Sequence, residues 1–180
     1  MERILSRSLT IDRTLSGVLA IILFTALTAL GAFVRVPLPF TPVPVTLQVF
    51  FVLLSAVVLG RRAAISQALY LSLGAAGLPL FTGASGGFAH LLGPTGGYLL
   101  GFVAAAFVVG MATATHKSAG AMSLSLLLGI AIIHGCGTLQ LGLLLQLAPP
   151  RAVQLGVVPF IAGDLLKAAA ALAVAQGIKR

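Results

Sequence analysis

Acidic residues are almost absent from this chain: Asp and Glu together number 3 in 180 residues, and all charged residues make up only 8%. An average soluble domain is about 25% charged. A soluble globular protein is therefore excluded, because this number of charged residues is too small for an ordinary water-facing surface. Cysteine is scarce as well, and the single Cys136 excludes an internal disulfide.

Apolar side chains are abundant instead, at 59% of the chain, together with 21 glycines. Intrinsic disorder is excluded because it requires low hydrophobicity. A nucleic-acid binder is excluded in spite of the net charge of +8, because such proteins gather their bases on one face or stripe. Here the 11 Lys and Arg residues are scattered between long apolar runs. We therefore expect the chain to be surrounded by membrane lipid.

Six apolar runs predict an all-α integral membrane protein with six transmembrane helices in a single domain, residues 1–180. A transmembrane helix needs about 20 predominantly apolar residues. The predicted spans are residues 15–34, 45–60, 63–78, 98–115, 121–148 and 157–178. The second and third are short for a perpendicular crossing, and a re-entrant hairpin is the alternative for them. The prolines between residues 37 and 44 predict an extended connection, because proline does not fit a helix interior.

The positions of the basic residues predict the orientation. If both termini are cytoplasmic, the outer segments hold two bases, Arg35 and Arg151, and Lys167 lies within the sixth span. The other eight bases are then all on the inner side: Arg3, Arg7, Arg13, Arg61, Arg62, Lys117, Lys179 and Arg180. Short cytoplasmic loops carry such an excess of Lys and Arg. The pattern predicts a multi-pass protein with both termini in the cytoplasm.

Patterns typical of enzymes are sparse. No phosphate-binding loop of the form GxxxxGK[ST] occurs, so an energised process would need an ATPase partner. His90, His116 and His134 fall in three different segments without metal-ligand spacing, so we predict no metal and no cofactor. A lipid-modifying enzyme would need a carboxylate or histidine partner at the depth of Asp164, and none is evident in the sequence. The simplest interpretation of His134 is a polar residue bonded to a neighbouring helix, and the alternative is a cavity-lining residue.

One pair of charges lies inside an apolar span. Asp164 and Lys167 are three residues apart and share one helical face. A charge at the centre of a bilayer costs roughly 2.5–3.5 kcal/mol on insertion scales, so such residues face the bundle interior or a cavity and are usually functional. A structural ion pair that only locks helix packing is the alternative. In the predicted orientation, Asp164 lies in the outer half of the membrane with Lys167 deeper.

A glycine-rich segment, residues 83–97, lies on the same outer side and carries no Lys or Arg. Glycines allow backbone groups to approach a ligand closely, although a loop without contacts is the alternative. Together with the donors of Lys167 and the acceptors of Asp164, it suggests a small polar ligand covered by apolar helix walls.

Several motifs make the chain resemble the biotin-specific substrate-binding (S) components of energy-coupling factor (ECF) transporters, the BioY family. They are PVPVTLQ at 42–48, GLPLF at 77–81, the glycines at 83–87, GPTGGYLLGF at 93–102 and GDLLK at 163–167. The resemblance implies a six-helix subunit of the prokaryotic inner membrane that captures biotin from outside. It also implies passage of biotin inward together with a coupling (T) protein and cytoplasmic ATPases. The protein would thus be a transport subunit and not an enzyme.

The resemblance also implies roles for individual residues. The implied biotin ligands are Asp164, Lys167, Gln48, Ser85, Gly86, Gly87, Gly96, Gly97 and Tyr98. The first helix of S components carries small residues that meet the coupling protein, and here the matching positions are Thr25, Thr28, Ala29 and Ala32. Their four-residue spacing is also typical of ordinary helix packing.

Overall fold

The computed structural model describes the backbone of residues 2–178 and the side chains of residues 14–178. Its helices are α1 (Glu2–Phe33), α2 (Gln48–Leu59), α3 (Ala63–Ala75), α4 (Phe88–Leu91), α5 (Gly96–Thr115), α6 (Ala119–Leu144), α7 (Pro149–Gly156) and α8 (Ile161–Ile178). A short 3-10 turn, Gly60–Arg62, joins α2 to α3. Two short strands, β1 (Arg35–Val36) and β2 (Val45–Thr46), precede α2.

Five stretches of the described chain are long and apolar enough to cross a membrane. They are Thr14–Phe33, Gln48–Ala75, Gly96–Thr115, Ala119–Leu144 and Ile161–Ile178. The chain is therefore a helical, multi-pass membrane protein, as the sequence predicts. The predicted second and third spans fall together in one of these stretches, so length and hydropathy alone do not establish six crossings.

The stretch Gln48–Ala75 is folded as an antiparallel hairpin. Gln48 Nε2, at the start of α2, donates to the hydroxyl of Tyr70 near the end of α3 at 2.7 Å. Closer to the turn, Gln67 Nε2 donates to Ser55 Oγ at 3.4 Å. In one continuous helix, residues 48 and 70 would be about 33 Å apart. The two legs of 12 and 13 residues therefore run side by side.

The hairpin runs along most of the apolar part of α1. At one end, Gly31 of α1 lies against the backbone of Gln48. At the other end, the guanidinium of Arg62 lies against Gly17. These two glycines are 14 residues apart, or about 21 Å along a helix. The absence of a side chain at Gly31 lets the start of α2 approach α1 closely.

The proline-spaced segment is an extended connection, as predicted, and its ends pair as an antiparallel ribbon. Arg35 of β1 is opposite Thr46 of β2, and Val36 is opposite Val45. The ribbon is a small addition to the predicted all-α architecture. A second addition is α7, which the sequence did not predict between the fifth and sixth spans. Pro149 and Pro150 occupy its first turn, where proline costs no hydrogen bond.

Helices α5 and α6 pack closely because glycine lies between them. Gly97 of α5 lies against the carbonyl oxygen of Cys136, and Gly101 lies against the backbone of Ile133. On the α6 side, Gly137 lies against the ring of Tyr98. Such small-residue contacts let membrane helices approach each other. The close approach brings side chains of α5 and α6 to the same internal cavity.

Candidate ligand-binding site

A cavity opens between the β2–α2 connection, the glycine-rich connection between α3 and α5 (residues 76–95), and helices α5, α6 and α8. It is mostly apolar, with a small number of polar groups, as is typical of small-molecule sites. Its polar lining residues are Thr46, Gln48, Thr82, His90, Thr95, Tyr98, His134, Asp164 and Lys167. Its apolar walls include Val49, Leu99, Phe102, Ile133 and Phe160.

Asp164 is the most enclosed charged group of the cavity, with 2% of its surface exposed. Its Oδ1 accepts a hydrogen bond from Lys167 Nζ at 2.7 Å, and its Oδ2 lies 2.9 Å from His134 Nε2. It lies in the first turn of α8, where the helix dipole favours a negative charge. The Asp164–Lys167 pair therefore exists as the sequence predicts, and it has a third member.

The third member, His134, joins α6 to two other helices. Its Nε2 faces Asp164 of α8, and its Nδ1 lies 3.2 Å from the carbonyl oxygen of Gly156 at the end of α7. It is 6% exposed and its ring stacks on Phe160 with centroids 5.8 Å apart. Both interpretations of His134 apply: it is bonded to a neighbouring helix, and it also lines the cavity. The expectation that Asp164 has no histidine partner at its depth was wrong.

Tyr98 fixes the position of the same carbonyl group. Its hydroxyl donates to Gly156 O at 2.7 Å, while its ring meets His134 edge-on with centroids 6.1 Å apart. A Cβ on Gly156 would approach the Tyr98 hydroxyl at 2.7 Å, and a Cβ on Gly137 would collide with the ring. Two glycines therefore make the space in which Tyr98 reaches its acceptor.

Gln48 is another polar residue of the cavity wall. Its side-chain amide donates to Tyr70, and its Oε1 accepts from Thr46 Oγ1 at 3.3 Å. The Tyr70 hydroxyl in turn donates to Leu80 O at 3.2 Å. This chain of bonds fixes Gln48 between the hairpin and the glycine-rich connection.

The glycine-rich connection contributes His90 of α4. Its Nδ1 lies 3.0 Å from Ser85 Oγ, its Nε2 lies 3.1 Å from Thr95 Oγ1, and its ring stacks on the buried Phe81. Burial lowers the pKa of His90, which favours the neutral ring near pH 7. Hydroxyl groups both donate and accept, so they suit a neutral imidazole.

The predicted ligand residues fall into two groups. Gln48, Tyr98, Asp164 and Lys167 line the cavity. Ser85, Gly86, Gly87, Gly96 and Gly97 lie outside its lining. Ser85 holds His90, and a Cβ at Gly86 or Gly96 would collide with a backbone carbonyl, that of Leu78 or of Leu91. Direct ligand contacts by this second group stay a prediction. In this structure the residues of the second group shape the loop and the packing between helices.

The four residues predicted to meet a coupling protein face the interior of the chain. Thr25, Thr28, Ala29 and Ala32 are between 0% and 7% exposed. The Thr25 hydroxyl bonds to Ser66 O at 3.0 Å, and the Thr28 hydroxyl accepts from Gln67 at 3.2 Å. The hydroxyls of Thr25 and Thr28 thus bond to residues of α3, and partner contact through the four positions stays a prediction.

Four polar cavity residues were not predicted: Thr46, Thr82, His90 and Thr95. Thr46 and Thr95 lie within the motifs that carry the family resemblance, so the motifs could have identified them as candidate cavity residues. His90 offers a weaker signal, as the one titratable side chain between the two glycine clusters. His134 has no local signal for its pairing, because its partner Asp164 is 30 residues away.

The arrangement is suited to holding a polar ligand rather than to acid–base chemistry. Both nitrogens of His134 are engaged, one with Asp164 and one with a backbone carbonyl, so no nitrogen is free to activate a nucleophile. Among the described residues, no three His, Cys, Asp or Glu side chains are grouped so as to hold a metal ion. Lys167 supplies donors and Asp164 supplies acceptors at the cavity wall.

Together, fold and cavity define a polytopic helical membrane protein with a mostly apolar cavity inside its helix bundle, lined by a few polar groups. The model of the BioY family matches residues 5–180, so the chain belongs to the BioY family. The family resemblance seen in the sequence is thereby confirmed.

Individual relatives agree in sequence and in structure. The chain is 42% identical to the biotin transporter BioY of Thermotoga maritima over 159 residues. These aligned residues make up 88% of this chain and 92% of that protein. It is 42% identical over 158 residues to the probable biotin transporter BioY of Pyrococcus horikoshii, covering 87% and 92%. A crystal structure of the S-component for biotin from an ECF-type ABC transporter is similar with a TM-score of 0.86, 26% identity and 93% coverage of both chains.

Proposed function

We propose that this chain is the biotin-binding S component of an ECF-type vitamin transporter in the inner membrane of a prokaryote. It captures biotin from outside, and an ATP-driven module of coupling protein and ATPases passes the ligand inward. The observation that carries the proposal is the buried Asp164, held between Lys167 and His134 at the wall of a mostly apolar cavity.

Biotin fits this chemistry. Its ureido ring has two N–H donors and a carbonyl acceptor, and its bicyclic body is otherwise apolar. A carboxylate has about four lone-pair sites, so Asp164 retains acceptor capacity for a ureido N–H beside its two present partners. Lys167, which lines the cavity, has three donors and reaches either the ureido carbonyl or the ligand's carboxylate.

Two alternatives are less well supported. A lipid-modifying enzyme needs a free base or a nucleophile beside Asp164, and His134 has both nitrogens engaged. A purely structural role for Asp164 and Lys167 would be satisfied by an ion pair away from any cavity. Instead both residues line the cavity, where a bound ligand offsets the cost of charges buried in the membrane.

Binding of labelled biotin to the purified protein in detergent tests the proposal. We expect a Kd below about 1 μM, a free energy of about −8.2 kcal/mol. Lipoate is the matched competitor, because it has a sulfur-containing ring and a valerate tail but no ureido group. It should compete poorly. If biotin does not bind below this concentration, or lipoate competes equally well, the proposal is wrong.

The proposal includes six crossings with both termini in the cytoplasm. The α2–α3 hairpin then crosses the membrane twice, with Arg61 and Arg62 on the inner side. Support comes from its depth, since the hairpin runs beside α1 for about 21 Å between Gly31 and Gly17. Each leg is only about 18–20 Å long, so the bilayer is expected to be thinner beside it.

Labelling of single cysteines tests this topology. In a Cys136→Ser background, Arg61→Cys and Ala84→Cys are treated in cells with a membrane-impermeant maleimide. Ala84→Cys should react in intact cells, because the glycine-rich loop is outside. Arg61→Cys should react only after the membrane is permeabilised. If Arg61→Cys stays unreactive after permeabilisation, the re-entrant alternative is favoured. If Arg61→Cys reacts in intact cells, the proposed orientation is wrong.

A further inference from the structure

A second depression, which we call the vestibule, adjoins the ligand cavity. It is formed by residues of the proline-spaced connection (35–44) and of the glycine-rich connection (82–95). Four residues line the vestibule and the ligand cavity alike: Pro44, Thr82, His90 and Thr95. Because the two spaces have a wall in common, a ligand that fills the cavity can extend into the vestibule.

Arg35 is held at the vestibule by contacts with both connections. It is opposite Thr46 in the β1–β2 ribbon, and residues directly opposite on antiparallel strands have their side chains on the same face. Thr46 itself lines the ligand cavity. The Arg35 guanidinium lies against Gly83, where an added Cβ would be 2.8 Å from one of its nitrogens. The positive charge of Arg35 therefore lies beside the cavity.

This charge has no partner within the described part of the chain. Among residues 14–178, the Arg35 side chain forms no ion pair and no hydrogen bond. The other arginine of the predicted outer side, Arg151, donates to Gln154 at 2.6 Å. A guanidinium is always charged, and its planar fork of N–H donors matches the two oxygens of a carboxylate. Arg35 is thus available to an anionic group of a ligand.

The far end of the cavity is a poor place for a second carboxylate. The Lys167 ammonium already donates to Asp164 at 2.7 Å. A ligand carboxylate on the same ammonium would lie beside the carboxylate of Asp164, and like charges at such a distance repel. Asp164 is also the acceptor that suits the ureido N–H groups, which are at the opposite end of biotin from its carboxylate. The vestibule, in contrast, has no Asp or Glu in its lining.

We propose that Arg35 binds the carboxylate of the ligand and makes the site specific for the free acid. The ureido ring then lies at Asp164, with Lys167 donating to the ureido carbonyl. The valerate chain runs past the wall that the two spaces have in common and ends at the guanidinium of Arg35. This inference rests on the proposed function, because the ligand is biotin, and it assigns the two ends of that ligand.

The test compares biotin with biotinamide, in which a neutral amide of nearly the same shape replaces the carboxylate. Each compound competes with labelled biotin for the purified wild type and for Arg35→Gln. Arg35→Gln should weaken biotin binding about fivefold, as for an ion pair of about 1 kcal/mol near a surface. Its affinity for biotinamide should not change. The preference of the wild type for biotin should therefore be lost in the variant.

Two variants with the same loss of charge serve as comparisons. Arg151→Gln changes an exposed arginine outside the cavity and the vestibule, and it should leave both affinities unchanged. Lys167→Met should weaken both compounds and keep the preference for biotin. The inference is overturned if Arg35→Gln keeps that preference, if it weakens both compounds equally, or if Lys167→Met is the variant that removes the preference.

Salt dependence in the wild type is a second measurement, which does not require a variant to fold. The Debye length falls from about 30 Å at 0.01 M salt to about 3 Å at 1 M, and exposed charges are screened far more than buried ones. The preference for biotin over biotinamide should therefore decline as salt rises. A wild type that binds biotin with no preference, or with one that salt does not change, overturns the inference alone. If neither compound binds, the proposed function is wrong and the inference falls with it.

Discussion

Replacing Asp164 by Asn should weaken biotin binding by at least tenfold, about 1.4 kcal/mol. The substitution keeps the shape of the side chain but removes the negative charge that pairs with Lys167 and His134. It leaves the Lys167 ammonium without its counter-ion at the cavity wall. Hydrogen bonds to charged groups contribute about 1.5–3 kcal/mol, so a loss of ten- to a hundredfold is expected. Equilibrium binding of labelled biotin in detergent measures it.

Lysine variants supply the matched comparison. Lys167→Met removes the donor at the cavity and should also weaken binding at least tenfold, about 1.4 kcal/mol. Lys117→Met makes the same chemical change in an exposed loop and should leave affinity unchanged. Unchanged affinity in both Asp164→Asn and Lys167→Met would place the ligand elsewhere in the chain.

The methyl ester of biotin shows which end of the ligand Lys167 holds. If Lys167 holds the ligand's carboxylate, the wild type should bind the ester more weakly than biotin. Lys167→Met should then remove that difference.

Replacing Gly97 by Ala should mainly lower the stability of the protein, with a smaller effect on biotin binding. A Cβ at this position would collide with the carbonyl oxygen of Cys136 and lie 2.8 Å from the Cβ of Gln140. A backbone carbonyl has no alternative rotamer, so α5 and α6 have to separate. Overpacking of this kind costs about 1–3 kcal/mol. Thermal unfolding in detergent, followed by circular dichroism, should show a lower midpoint.

Gly135→Ala is the control for this substitution. Gly135 is a helical glycine of α6, and no atom lies within 4 Å of the position that an added methyl group would take. Alanine should therefore be neutral there or stabilise by up to about 1 kcal/mol. If Gly97→Ala keeps its unfolding midpoint but loses biotin binding, Gly97 contacts the ligand directly. That result would support the role implied by the family motif over the packing role.

The features that the sequence predicts well are those whose signal is local. Asp164 and Lys167 are conspicuous because the residues around them are apolar, and their spacing already places them on one face of a helix. The proline-spaced connection is equally local. The family motifs identify the ligand class, because they form long uninterrupted matches such as residues 93–102.

Other features depend on packing between distant segments, and the sequence carries no direct signal for them. His134 pairs with a carboxylate 30 residues away, so its role appears only when α6 and α8 are adjacent. Thr25 and Thr28 were predicted on a partner-facing surface, yet four-residue spacing fits an internal contact equally well. Periodicity shows that a helix has a small-residue face but does not show which neighbour covers it.

The contacts around Tyr98 have a practical consequence for mapping this site. Alanine scanning identifies residues by deleting atoms, and it passes over positions where nothing can be deleted. Gly137 and Gly156 hold Tyr98 in place because they lack a side chain, so their contribution becomes visible only when atoms are added. A scan that introduces alanine at glycine positions would therefore identify glycines that support the binding site and that a deletion scan does not detect.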